Sequence, residues 1–129
     1  MKQEPKKPTP AELAILRVLW SRGAATVREI QEGLEDETTG YTTVLKLVQI
    51  MNGKGLVERD ESQRAHVYRA RYGEEQVQRQ LVGDLMDRAF GGSAAKLVQQ
   101  ALSTKPASRD ELDEIRSLLA RFEGGAHDG

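Results

Sequence analysis

Residues 40–70, GYTTVLKLVQIMNGKGLVERDESQRAHVYRA, read as a helix, a glycine stop and a short β-hairpin. Val44, Leu47, Val48 and Met51 stand at i, i+3, i+4 and i+7 and make the buried stripe of the helix. That spacing leaves Thr42, Thr43, Lys46 and Gln49 on the outward face. Small hydroxyls, an amide and a lysine suit a DNA major groove, where bases present acceptors, amino donors and thymine methyls. The same residues also suit an ordinary solvated helix face. The hairpin that follows favours the groove reading, because a helix and a wing in this order supply a groove element and a backbone clamp together.

Upstream, the pattern predicts two more helices. Thr9, Pro10 and Glu12 form a capping box with proline at the first helical position, and Leu13, Leu16 and Trp20 continue an apolar face to a stop at Gly23. Thr26 with Glu29 repeats the box, Val27, Ile30 and Leu34 face inward, and Ala24–Ala25 offer a very short strand. Residues 35–40, EDETTG, are the turn into the third helix, which gives helix-turn-helix spacing. Downstream of the third helix, GKG at 53–55 ends it, and LVERD pairs with AHVYRA across the loop ESQR. The first ten residues, basic and proline-rich, are expected to be an arm without structure of its own.

From Glu74 the composition changes. Residues 74–90 predict a helix with Val77, Leu81, Val82, Leu85 and Met86 inward, broken at Gly91-Gly92. Ser93 opens a second helix through Leu97, Val98, Ala101 and Leu102, limited by Pro106. Ser108 and Glu111 open a third, with Leu112, Ile115, Leu118, Leu119 and Phe122. Three short amphipathic helices hold too little core to stand alone, so a second copy is expected to cover Leu81, Leu85, Leu112, Ile115, Leu118, Leu119 and Phe122. The expected fold is mostly α with a small β-hairpin. It comprises an N-terminal winged helix-turn-helix over 1–73, a helical dimerisation unit over 74–124 and a disordered tail at 125–129.

Composition narrows the function. The chain of 129 residues has a net charge of −1, yet residues 1–73 carry twelve Lys/Arg against ten Asp/Glu and residues 74–129 carry seven against ten. From Thr38 to Tyr72 the balance is six against three, a modest basic footprint on the helix and hairpin. With no cysteine, disulfides, thiolate catalysis and Cys-based metal sites are excluded, and only His66 and His127 offer imidazole. His66 reads as a strand-surface residue. There is no G-x-S-x-G, no phosphate-binding glycine loop and no H-E-x-x-H, so no enzyme and no cofactor are expected. The carboxylates at Asp84/Asp87 and Asp110/Glu111/Asp113/Glu114 read as charged helix faces. No apolar run of eighteen residues and no signal region occur, so a cytoplasmic protein without membrane insertion is expected.

These features resemble the penicillinase/methicillinase-repressor family (BlaI/MecI type) of bacterial transcription regulators. The resemblance covers residues 8–122, from PTPAELAILRVLW through TTVLKLVQIMNGKGLVERD and RAHVYRA to FGGSAAKLV and DELDEIRSLL. It implies a homodimer that binds double-stranded palindromic operator DNA and represses transcription. It further implies release by cleavage in the second C-terminal helix, by a membrane sensor metalloprotease that detects β-lactam. The corresponding bond is Gln100–Ala101, where well-known members carry Asn-Phe. Copper-responsive relatives signal through a Cys-x-Cys pair that this chain lacks.

The expected binding mode is two-fold. Thr26 and Arg28 at the start of the second helix, and Arg64 at the wing tip, hold phosphates, while Thr42, Thr43, Lys46 and Gln49 read base edges. Arg59, Arg69 and Arg71 flank the wing. Two other readings stand beside this one: a winged helix used as a protein-interaction module, and a small-molecule-sensing regulator.

Overall fold

The computed structural model describes residues 6–125. Six helices and three strands follow in the order α1 (Pro10–Arg22), β1 (Ala25–Thr26), α2 (Val27–Gly33), α3 (Tyr41–Lys54), β2 (Val57–Asp60), β3 (Val67–Ala70), α4 (Glu74–Ala89), α5 (Ala94–Thr104) and α6 (Arg109–Gly125). The chain divides into two compact units after Asp84, within α4. The expected winged helix lies in the first.

Both upstream capping boxes form. Thr9 Oγ1 accepts from Glu12 N while Glu12 Oε1 accepts from Thr9 N, and Thr26 and Glu29 make the same reciprocal pair. Each box satisfies two backbone or side-chain groups that a helix start otherwise leaves open. The strands form an antiparallel sheet in the order β1-β3-β2, with Ala25 opposite Tyr68 and Arg59 opposite the same Tyr68. β1 sits one residue later than expected, at Ala25–Thr26, because pairing with β3 fixes its place. The hairpin loop spans 61–66, longer than the expected four residues, so Ala65 and His66 belong to the loop and not to a strand.

The core collects Ile15, Leu16 and Leu19 of α1, Val27 and Ile30 of α2, Val44, Val48 and Met51 of α3, and Leu56, Val57 and Tyr68 of the hairpin. Here the expectation for α1 needs correction. Leu13 and Trp20 are only half-buried, whereas Ile15, Val18 and Leu19 are buried beside Leu16. The helix packs against α2, α3 and β3, so its apolar side is wider than a single i, i+3, i+7 stripe. Leu47 of α3 is likewise only half-buried.

Two glycines set the geometry. A Cβ on Gly33 would lie 2.8 Å from Val18 Cγ1, so the α1–α2 approach requires its absence. Gly55 takes a left-handed φ of 80° as the C-cap of α3, where its N–H reaches Asn52 O and Met51 O. The chain therefore turns directly from α3 into β2.

The arm is shorter than ten residues. Pro8 is buried, and Lys7 Nζ lies 3.0 Å from Asp84 Oδ2. At the other end α6 extends through Gly125; the remainder of the expected tail, with His127, lies outside the described residues, as does the arm before Lys6.

The C-terminal helices differ in burial from the first unit. Among the described residues from Leu85 onward none is buried. Val82, Leu85, Val98, Leu102, Leu118, Leu119 and Phe122 are exposed large hydrophobics, Phe122 at 71%. Val82 thus does not face inward as expected, Leu85, expected to be covered by a second copy, is exposed in this one, and Val77 is buried. Burying one such side chain fully contributes about 1.5–3 kcal/mol. From Leu85 onward the described residues bury none of them, which leaves most of that stabilisation unrealised.

Candidate nucleic-acid interface

The α3 helix has 14 residues, about 21 Å of axis at the usual rise. Val44, Val48 and Met51 hold it to the core at 0% exposure, and Thr42, Thr43, Lys46 and Gln49 are all exposed on the other side. Ile50 joins that outer face at 44% exposure. A methyl-bearing surface beside hydroxyl, amide and ammonium groups matches the mixed chemistry of base edges in a major groove. Among the described residues, Lys46 makes no ion pair with another side chain, so its charge is available.

The start of α2 is arranged differently. Thr26 is engaged with Glu29, whose carboxylate also takes a hydrogen bond from Arg22 Nη2 at 3.3 Å. The Thr26 backbone N–H holds the Glu29 carboxyl below its usual range, with burial opposing and the Thr26 hydroxyl and Arg22 assisting. The cationic group that α2 offers outward is therefore Arg28. Its guanidinium carbon lies 5.7 Å from the centre of the Tyr41 ring, a cation–π contact across to the first turn of α3.

The wing sorts its arginines by partner. Arg59 is clasped by Glu61, Nη2 to Oε2 at 2.8 Å and Nε to Oε2 at 3.0 Å. A hydrogen bond with the Tyr68 side chain, followed by Glu61, raises its pKa further. Arg71 lies over the Tyr72 ring at 5.6 Å. Arg64, exposed in the 61–66 loop, has no carboxylate partner among the described residues. His66 Nε2 stands 4.0 Å from Glu61 Oε1. Between wing and helices lies a concavity of about 470 Å³, whose lining includes Val27, Leu45 and Tyr68 with the polar side chains of Arg28, Tyr41, Arg64 and His66.

Of the expected site residues, Thr26, Arg28 and Arg64 thus meet at one notch, while Thr42, Thr43, Lys46 and Gln49 share the adjoining helix face. Tyr41 is the member that sequence reasoning missed. The available signal was its place one residue before Thr42, but only the fold brings Arg28 over its ring.

The penicillinase repressor family profile matches residues 8–121. The chain belongs to the penicillinase repressor family. The transcriptional regulator BlaI of Mycobacterium tuberculosis strain H37Rv is 33% identical to this family member over 118 residues, covering 88% of this chain and 83% of the relative. The methicillin resistance regulatory protein MecI of Staphylococcus aureus is 20% identical over 110 residues, covering 84% and 89%. Among solved structures, hsRosR-SG superposes with a TM-score of 0.51 at 20% identity, over 95% of this chain and 97% of that one. The DNA binding domain of the repressor BlaI matches with a TM-score of 0.48 at 22% identity, over 59% and 93%. The architecture of this family member is that of a winged-helix DNA-binding repressor.

Its remaining candidate residues lie in the helices after Gly73. Leu85, Leu118, Leu119 and Phe122 are exposed, and Leu81, Leu112 and Ile115 half-buried. Gln100 and Ala101 are exposed but stand inside α5, where Gln100 O accepts from Thr104 Oγ1 at 2.6 Å and Gln99 O from Ser103 Oγ at 2.7 Å. Among the described residues no three His, Asp or Glu side chains are grouped to hold a metal ion, and no helix is long and apolar enough to cross a membrane.

Proposed function

We propose that this chain is a homodimeric repressor that binds a palindromic operator through α3 and the wing. In this reading it is released when its C-terminal unit is cut in response to a cell-wall or β-lactam-type signal. The observation that carries the reading is the exposed Thr42, Thr43, Lys46 and Gln49 face of α3 beside Arg64, which has no carboxylate partner among the described residues. The uncovered apolar residues of α4 and α6 support pairing with a second copy. Two linked winged helices bind far more tightly than one, because the second engages at high effective concentration. The site of action is the cytoplasm, where the DNA is.

For release, a membrane sensor protease would act at Gln100–Ala101. That bond is on the surface but helical, so the segment must unwind before cleavage. Cutting there separates α6 from the winged helix, and the pairing surface goes with it.

The test is selection of duplexes from a random pool by the full chain. Enriched sites should show two-fold symmetry, with half-sites spaced by about one helical turn or a multiple. An unenriched pool would overturn the reading in favour of a protein-interaction module. On the enriched duplex, Lys46→Ala should cost about 1–3 kcal/mol on the cognate site only. Arg64→Ala should weaken binding to every sequence and reduce the salt slope by about one unit. Titration of both variants on cognate and random duplexes at several salt concentrations checks this; equal losses for both on both duplexes would sink the division of roles.

A further inference from the structure

We propose that the notch between α3 and the wing seats the sugar–phosphate strand separating the major groove from the adjoining minor groove, with the Tyr41 hydroxyl donating to a phosphate there. The proposal rests on α3 as the groove element. If α3 enters one groove and the Arg64 loop reaches the next, a backbone strand must pass between them. The notch of about 470 Å³ lies between these two elements. Four of its lining side chains are suited to an anion: the guanidinium groups of Arg28 and Arg64, the phenol of Tyr41 and the imidazole of His66. No carboxylate lines it; Glu61 stands beside His66, outside the lining. Tyr41 is 44% exposed, and Arg28 at 5.7 Å holds the face of its ring. The stack holds the ring from one face, and the residue remains partly exposed at the notch. An O–H donated to a phosphate is a charge-assisted bond and gives strength without releasing a counterion.

Tyr41→Phe keeps the ring and the stack, and removes only the donor. It should lower affinity about ten-fold on cognate and random duplexes alike, with an unchanged salt slope, whereas Arg64→Ala flattens that slope. Replacing single phosphates by neutral methylphosphonates in the selected duplex should reveal one position per half-site where the wild type loses affinity and Tyr41→Phe loses no more. Wild-type affinity in Tyr41→Phe on both duplexes, or additive losses at every phosphate, would overturn the inference while leaving the α3 reading intact. Absence of any sequence-selective binding would overturn the α3 reading instead, and the random-duplex comparison would still decide the role of Tyr41.

Discussion

If the chain pairs as proposed, Phe122→Asp should leave it a folded monomer, with operator affinity falling by at least about a hundred-fold. Phe122 is 71% exposed in one copy, so the substitution removes little from the packing of that copy. In the proposed dimer the same position would be buried, and a carboxylate placed there without a partner would cost several kcal/mol. Leu118→Asp tests the same surface from a position 40% exposed. Sedimentation equilibrium at micromolar concentration gives the oligomeric state, and titration of the selected duplex gives the affinity. A variant pair that stays dimeric with unchanged operator binding would refute release by dimer disruption. Ligand sensing would then become the better account of induction.

The second large effect concerns stability. Glu12 is a buried carboxylate at 2% exposure, and Lys54 Nζ reaches its two oxygens at 2.8 and 2.9 Å. Lys54→Ala should destabilise the fold by about 3 kcal/mol, since it leaves that carboxylate buried with only the Thr9 contacts. A fall in melting temperature of more than about 10 °C would follow. The pH dependence has a definite sign. Burial opposes ionisation of Glu12, but the Lys54 hydrogen bond and charge, with the Thr9 N–H and hydroxyl, outweigh it and hold the pKa below 4.5. A depressed carboxyl pKa contributes stability above the unfolded-state value, and that contribution is lost as pH falls through the folded value. The difference between wild type and Lys54→Ala should therefore be full at neutral pH and shrink below about pH 4.5. Denaturant unfolding at pH 7 and pH 4 measures it. A difference that stays constant across this range would show that Lys54 acts through packing and not through the ion pair.

The Glu12–Lys54 pair also illustrates what the sequence could and could not convey. Both capping boxes were legible because Thr-x-x-Glu is a local signal whose partners lie three residues apart. The outward face of α3 and its stop at Gly55 were legible for the same reason: helical period and left-handed glycine geometry operate within one or two turns. Glu12 read only as a capping residue, since nothing local points to a lysine 42 positions away. The stack of Arg28 on Tyr41 was hidden in the same way. The buried side of α1 was assigned too narrowly because periodicity describes one packed face, and this helix is covered from several directions. In the wing, the position of Arg64 at the tip singled it out in sequence, but the partners that engage Arg59 were not visible there. Glu61 and Tyr68 distinguish Arg59 from Arg64, and that distinction depends on cross-strand register and loop conformation.

Trp20 is the only tryptophan in the chain, and its indole Nε1 donates to Tyr72 O at 3.0 Å, joining α1 to the backbone just beyond the wing. Indole emission depends on local polarity and hydrogen bonding, so the protein carries an intrinsic optical reporter at the place where the recognition fold closes on itself. A red shift would mark the opening of that closure in any variant, without an added dye. Because the chromophore lies outside α6, loss of pairing through Phe122 would leave its colour unchanged, and one spectrum would separate a folded monomer from an unfolded chain.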